Sequence, residues 1–175
     1  VLRQIGRYDE SADMYYRAQL FADSIQTSPS NQVAVLLGVA SVYNAMRDLE
    51  NAKMWWDELE KRLSIMSDRD KFVFYNDRGN YYYFSEEYEE AKRNFEQAAA
   101  LTKGKPEKEW DYYTALGNLA EIYITLGDND AAESTLNEVE AFGRRVNFPA
   151  LLYYVDSERI RLELQKGNKA KAMEI

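Results

Sequence analysis

The sequence predicts an all-α fold, a solenoid built from antiparallel helix pairs. Tyrosine, alanine and bulky side chains return about every forty residues, and apolar residues between them recur at helical spacing. Each break in the pattern carries Gly, Pro, Asn, Asp or Ser, and sustained strand-type alternation is absent. Because one helix pair cannot bury its apolar face alone, stacked copies of a single unit are the fold that these observations favour.

The stretch 75–101 contains the clearest helix pair. Gly79 and Tyr82 lie one helical step apart on the first helix, and the second carries one apolar stripe, Ala91, Phe95 and Ala98. Ser85 stands between the two and is predicted to cap the second helix. Of the three tyrosines at 81–83, Tyr82 is predicted to point inward and Tyr83 away from it.

The unit recurs when Gly79 is numbered position 8, so that Tyr82, Ala91 and Phe95 become positions 11, 20 and 24. The tyrosines at position 11 lie 39 and 41 residues apart along the chain. The preceding copy holds Leu36, Val39, Ala40, Tyr43, Ala52 and Trp56, and the following copy holds Leu116, Leu119, Ala120, Tyr123, Gly127, Ala132 and Leu136. A last copy is placed on Gly167 and Ala172, and a partial first copy on Gly6, Tyr8, Tyr15 and Ala18.

The spacing Gly-x2-Tyr…Ala-x3-Phe resembles the tetratricopeptide repeat (TPR) pattern W-x2-L-G-x2-Y…A-x3-F. This resemblance implies a right-handed superhelical solenoid. The units exceed the roughly 34 residues of a standard TPR and match armadillo and HEAT repeats in length, so those repeats are the alternative fold. The preserved small-aromatic register favours TPR.

We expect one domain over 1–175, with a partial unit at 1–26 and units at about 29–66, 68–103, 106–146 and 149–175. The predicted helices are about 30–46, 48–64, 69–84, 86–102, 107–126, 129–145 and 149–166, with a truncated helix after Gly167. Because both ends fall inside units, the chain is expected to be a fragment of a longer array.

Composition narrows the function. The net charge is −8, which argues against a nucleic-acid surface. The chain has no histidine, no cysteine and no Gly-rich phosphate loop, so we expect no enzyme, no metal site and no cofactor. No apolar run is long enough to span a membrane, and no signal peptide is visible. The compartment stays open.

The TPR resemblance implies a concave groove lined by the first helix of each unit. Carried onto this chain, the contact positions are Ser41, Asn44, Asn76, Asn80, Tyr83, Asn118, Glu121, Ser157 and Arg161. Asparagine amides can bond both groups of a peptide backbone, and tyrosine supplies rigid contact area. The alternative interpretation is a polar surface that binds nothing.

These observations leave three hypotheses for the function. The leading one is a protein-interaction scaffold that takes a peptide or helix of a partner in the groove. The alternative is a sensor or regulatory module of a larger bacterial signalling protein or transcription regulator, which the forty-residue units resemble. An enzyme is the third and least favoured. Assembly with further copies of the chain stays open.

Overall fold

The structure is a computed structural model that describes residues 28–175 together with Asp13, Arg17 and Leu20. Most of the partial unit predicted at 1–26, including Gly6, Tyr8, Tyr15 and Ala18, lies outside the described residues. Asp13, Arg17 and Leu20 are the exceptions. Within 28–175 every regular element is helical and no strand occurs. The all-α prediction is confirmed.

Eight α-helices occupy residues 28–175. They are α1 (Pro29–Met46), α2 (Leu49–Glu60), α3 (Asp68–Phe84), α4 (Tyr88–Thr102), α5 (Glu109–Leu126), α6 (Asn129–Arg145), α7 (Pro149–Gln165) and α8 (Lys169–Ala172). Short 3-10 helices at Leu63–Ile65 and Pro106–Lys108 precede α3 and α5. The predicted ends hold to within two residues except for α2, which stops at Glu60, four residues early.

The helices group into two compact units, Val1–Glu87 and Tyr88–Ile175. In the first unit α1 packs on α2, and both pack on α3. In the second unit each helix from α4 to α8 packs on the next, and α5 also contacts α7. That the two units form one domain, as the repeat pattern predicts, stays a prediction.

One backbone feature recurs at position 15 of the repeat frame. The residues there have left-handed backbone, with φ of 63° at Arg47, 62° at Glu86, 80° at Gly127 and 81° at Gly167. In each case the N–H of the following residue donates to the carbonyl of the residue at position 11. The donors are Asp48, Glu87, Asp128 and Asn168, and the N–O distances are 3.1, 2.9, 2.9 and 2.8 Å. This 6→1 bond is the Schellman ending of a helix. The frame deduced from side chains therefore coincides with a repeat of the backbone.

The small and bulky positions of the frame form the cores of the two units. Buried residues occupy position 8 (Ala40, Gly79, Ala120), position 20 (Ala52, Ala91, Ala132) and position 24 (Trp56, Phe95, Leu136). Side chains of different size at one position are accommodated because each helix pair packs its own layer. These core predictions are confirmed.

The tyrosine triplet corrects one prediction. Tyr82 is only half-buried, and the ring that points inward is Tyr81, which is 6% exposed. Tyr81 lies two helical turns after Phe74, which is fully buried, so the two share one stripe of α3. The deepest contact therefore comes from position 10, one residue before the repeated tyrosines.

Helix ends explain a second correction. The Ser85 hydroxyl donates to the Tyr81 carbonyl at 3.0 Å, so Ser85 closes α3 instead of opening α4. The left-handed Glu86 adds a residue to the turn and delays α4 until Tyr88. The predicted start of α1 at about residue 30 is confirmed, since Pro29 takes the first helical position and Ser28 caps the helix.

Candidate partner-binding faces

The residues predicted to contact a partner all lie on the first helices of their units, α1, α3, α5 and α7. They differ in accessibility. In the first unit Ser41 and Asn44 are buried, at 6% and 4% exposure. Half-buried side chains make up most of the remainder, namely Asn76, Asn80, Tyr83, Asn118, Glu121 and Arg161, and Ser157 is exposed.

The two buried residues of the first unit hold α1 against α3. The Ser41 hydroxyl donates to the Asp77 carboxylate. The Asn44 amide nitrogen donates to the main-chain carbonyl of Asp77 at 2.7 Å. Partner contacts by Ser41 and Asn44 stay a prediction, but these side chains are already used in packing, so the proposal below does not depend on them.

The α3 helix presents a polar stripe beside that contact. Asn76, Asn80 and Tyr83 follow one another at i, i+4 and i+7, which places them on one side of the helix. The Asn76 amide donates to the Asp77 carboxylate at 3.2 Å. The stripe thus combines amide groups, one aromatic ring and one carboxylate.

In the second unit the structure brings two predicted residues together. Arg161 on α7 lies 3.4 Å from the Glu121 carboxylate on α5 and 3.1 Å from Glu158 on its own helix. Its guanidinium also donates to the Thr125 hydroxyl at 2.7 Å. Ser157 does not join this group, since its hydroxyl donates to the Tyr154 carbonyl.

Burial makes Glu158 the least hydrated acid of that group, with 13% of its side chain exposed. Desolvation raises the pKa of Glu158, and the charge of Glu121 adds to that rise, while Arg161 opposes it. One guanidinium therefore faces two carboxylates, and the group carries one more negative charge than positive.

Close approach of α5 and α7 is made through Gly117. The Tyr154 hydroxyl donates to the Gly117 carbonyl at 2.6 Å, and a Cβ placed on Gly117 would lie 3.4 Å from the Tyr154 ring. A small residue at this point leaves room for the Tyr154 ring. The contact joins α5 and α7, the two helices that carry Glu121 and Arg161.

Sequence reasoning missed four residues of these faces. Asp77 and Glu158 both occupy position 6 of the frame, two units apart, and that shared position was an available signal. Tyr154 and Thr125 fall at positions 2 and 13 of the frame. Their partners could not be deduced, because the contacts join different repeats.

Two clefts lie in the second unit away from these residues. One, of about 180 Å³, is bordered by Glu163 and Lys171, whose charged groups are 2.7 Å apart, and by Arg159, which bonds Asn137 at 2.6 Å. The other, of about 270 Å³, is lined by Lys105, Pro106, Tyr112 and Tyr113. In the first cleft the charges are already paired within the unit.

Among the described residues, no group of three or more acidic, histidine or cysteine side chains could hold a metal ion. None of the helices in residues 28–175 is both long and apolar enough to cross a membrane. The absence of enzymatic activity stays a prediction.

Comparison with protein families matches residues 70–145 to a tetratricopeptide repeat model. The matched segment runs from the first turn of α3 to the end of α6. No curated protein matches the chain.

Solved structures share the fold. The crystal structure of the Podosopora anserina putative kinesin light chain nearly identical TPR-like repeats superposes with a TM-score of 0.78 at 18% identity. A methionine-substituted variant of that same protein gives 0.79, also at 18% identity. Each comparison covers 99% of this chain and 85% of the other. At this identity the likeness establishes the fold alone.

Proposed function

We propose that the protein binds a peptide or helix of a partner on the faces formed by its first helices, because residues 70–145 match a tetratricopeptide repeat model. Repeats of this family mediate protein–protein interaction. The finer assignment, which residues hold the partner, is our proposal for this chain.

The polar stripe on α3 carries the proposal. Asn76, Asn80 and Tyr83 are each partly accessible on one side of the helix. An asparagine amide offers both donors and an acceptor, so it can bond the N–H and C=O of an extended chain. Tyrosine adds contact area at low entropic cost. In the second unit, Asn118 and Glu121 place a similar polar pair on α5.

The test begins with peptides selected from a random library on the immobilised protein, followed by affinity measurements on the variants Asn80→Ala and Asn118→Ala. We expect each substitution to weaken binding about 3- to 10-fold, because a hydrogen bond contributes about 0.5–1.5 kcal/mol. Circular dichroism should show unchanged helicity, since both side chains are partly exposed.

Gln97→Ala is the matched control. Gln97 is an exposed amide on α4, a second helix, outside the proposed faces. Its removal should leave the affinity unchanged. Peptides that bind the double variant Asn80→Ala/Asn118→Ala as tightly as the native chain would overturn the proposal.

The regulatory alternative shares this binding step and differs in what the binding controls. It stays a prediction, and no observation on the described residues favours it over a scaffold.

A further inference from the structure

Two aromatic side chains are exposed next to each other in the second unit, at the starts of α5 and α7. Trp110 is 51% exposed and Phe148 is 43% exposed, and their ring centres lie 5.2 Å apart in an edge-to-face arrangement. The buried ring of Phe142 supports Trp110 from below at 4.9 Å. Exposed tryptophan and phenylalanine rings that are held in place by packing are typical of protein–protein contact surfaces.

The 270 Å³ cleft lies beside these rings. Tyr113 connects the two features, because it lines the cleft and its ring also stacks on Phe142 at 4.0 Å. Trp110 and Tyr113 are three residues apart on α5, so they are neighbours on the helix surface. A cavity of about 150 Å³ accommodates benzene, so this cleft has room for a larger aromatic ring. The Trp110 ring packs on Phe142 and Phe148 and does not line the cleft of its own chain.

A face that carries both an exposed ring and an open cleft of sufficient size is complementary to itself. In a dimer with two-fold symmetry each contact occurs twice, so the ring of one copy meets the cleft of the other and the reverse. A partner of a different kind that filled the cleft would leave the exposed ring of Trp110 without a counterpart. A second copy of the chain uses both features at once.

The charge of this region also suits a second copy. The chain has a net charge of −8, so two copies repel one another over most of their surfaces. Residues 103–111, which border the cleft and include Trp110, contain three lysines and three acidic residues, so their charges balance. Among them Glu109 lines the cleft and forms an ion pair with Arg145. Two copies therefore meet less repulsion here than the net charge of the chain implies.

We propose that two copies of the chain associate through this face, with the Trp110 ring of each copy placed in the cleft of the other. The exposed parts of Trp110 and Phe148 amount to about 200 Å² per copy. A stable interface buries about 800 Å² per partner, so we expect a weak dimer with a Kd of about 0.1 mM. The inference uses none of the residues that carry the proposed function and is independent of it.

Sedimentation equilibrium of the whole chain measures the association. At a Kd of about 0.1 mM the chain is mainly monomeric at about 10 µM and mainly dimeric at about 1 mM. Trp110→Ala removes the ring that enters the cleft and should raise the Kd at least about 10-fold. Leu164→Ala is the matched control, since Leu164 is 52% exposed at the opposite end of α7 from Phe148 and should leave the Kd unchanged. A native chain that stays monomeric at the highest concentration, or an equal loss in both variants, would overturn the inference.

Pro106→Glu tests the cleft while Trp110 stays in place. Pro106 is exposed, lines the cleft and begins a short 3-10 helix, so its replacement should not change the fold. The substitution places a charge where the ring of the second copy would enter, and we expect it to raise the Kd as much as Trp110→Ala does. Circular dichroism checks both variants, and Pro106→Glu decides the question if Trp110→Ala loses helicity. Native dimerisation by Pro106→Glu would contradict the inference.

Discussion

The two units follow the same repeat frame but carry different side chains at equivalent positions. At position 15 the first unit places Arg47 and Glu86 in left-handed backbone, whereas the second unit places Gly127 and Gly167 there. At position 24 the first unit buries Trp56 and the second buries Leu136 as well as Phe95.

Their polar faces differ in the same way. The first unit joins its first helices by hydrogen bonds from Ser41 and Asn44 to Asp77. The second unit joins them by an ion pair between Arg161 and Glu121 and by the Tyr154 bond to Gly117. Backbone geometry therefore fixes where a contact is made, while the chemistry of that contact differs between the units.

Core truncation should give the largest difference between the units. Trp56→Ala removes a fully buried ring that meets Phe74 edge-on at 5.9 Å, and we expect it to cost about 3–5 kcal/mol. Leu136→Ala at the same repeat position should cost about 2–4 kcal/mol, because a smaller volume is lost. Urea unfolding followed by circular dichroism measures both.

Met54→Ala is the control for these truncations. Its side chain is 52% exposed on α2, so its loss should change the unfolding free energy by less than about 0.5 kcal/mol. If Trp56→Ala costs no more stability than Met54→Ala, position 24 is not a core position.

The polar faces of the two units should differ in how the cost of a substitution to stability depends on pH. Asn44→Ala removes a buried hydrogen bond, and its cost of about 1–2 kcal/mol should not change with pH. Arg161→Met removes the guanidinium that pairs with Glu121 and Glu158 and should cost about 1 kcal/mol at neutral pH.

The sign of the pH effect follows from Glu158. Because its pKa in the folded state is raised above the ordinary 4.5, the stability it contributes is present below pH 4.5 and is lost as pH rises through the folded pKa. Without Arg161 that pKa rises further, so the cost of Arg161→Met should shrink toward pH 4.5. Thermal melts across this range measure it, and a cost that is constant with pH would contradict the assignment.

Turn substitutions should give the smallest effect and opposite signs in the two units. Glu86→Gly relieves a left-handed residue and should stabilise by about 0.5–1 kcal/mol. Gly167→Ala should destabilise by about 1 kcal/mol, since its φ is 81° although nothing lies within 4 Å of an added Cβ. Thermal melts compare the two, and a shift of the same sign in both would show that position 15 is not equivalent between units.

Much of the fold could be predicted from sequence because its signals are local. The spacing of Gly79, Ala91 and Phe95 identified the helix pair and its core positions correctly. The start of α1 was also predicted to within one residue. One error concerned helical phase, because a shift of one residue decides whether Tyr81 or Tyr82 points inward. The other concerned Ser85, which stands between two helices and could cap either.

The sites were less predictable. Residues such as Glu121 and Arg161 could be assigned to one face from the frame, but their contact across 40 positions could not be deduced. Asp77 was overlooked because the sequence of a polar helix does not distinguish a carboxylate that bonds a neighbouring helix from one that is solvated.

By itself, the sequence determined the helical class, the forty-residue period and the buried small and bulky positions, since these follow from local periodicity and side-chain volume. Tertiary structure alone decided which polar groups meet and that Ser41 and Asn44 are used in packing. The physical reason is that hydrogen bonds and ion pairs depend on ångström-scale distances between helices far apart in the chain, whereas hydrophobic burial depends mainly on which face of a helix a residue occupies.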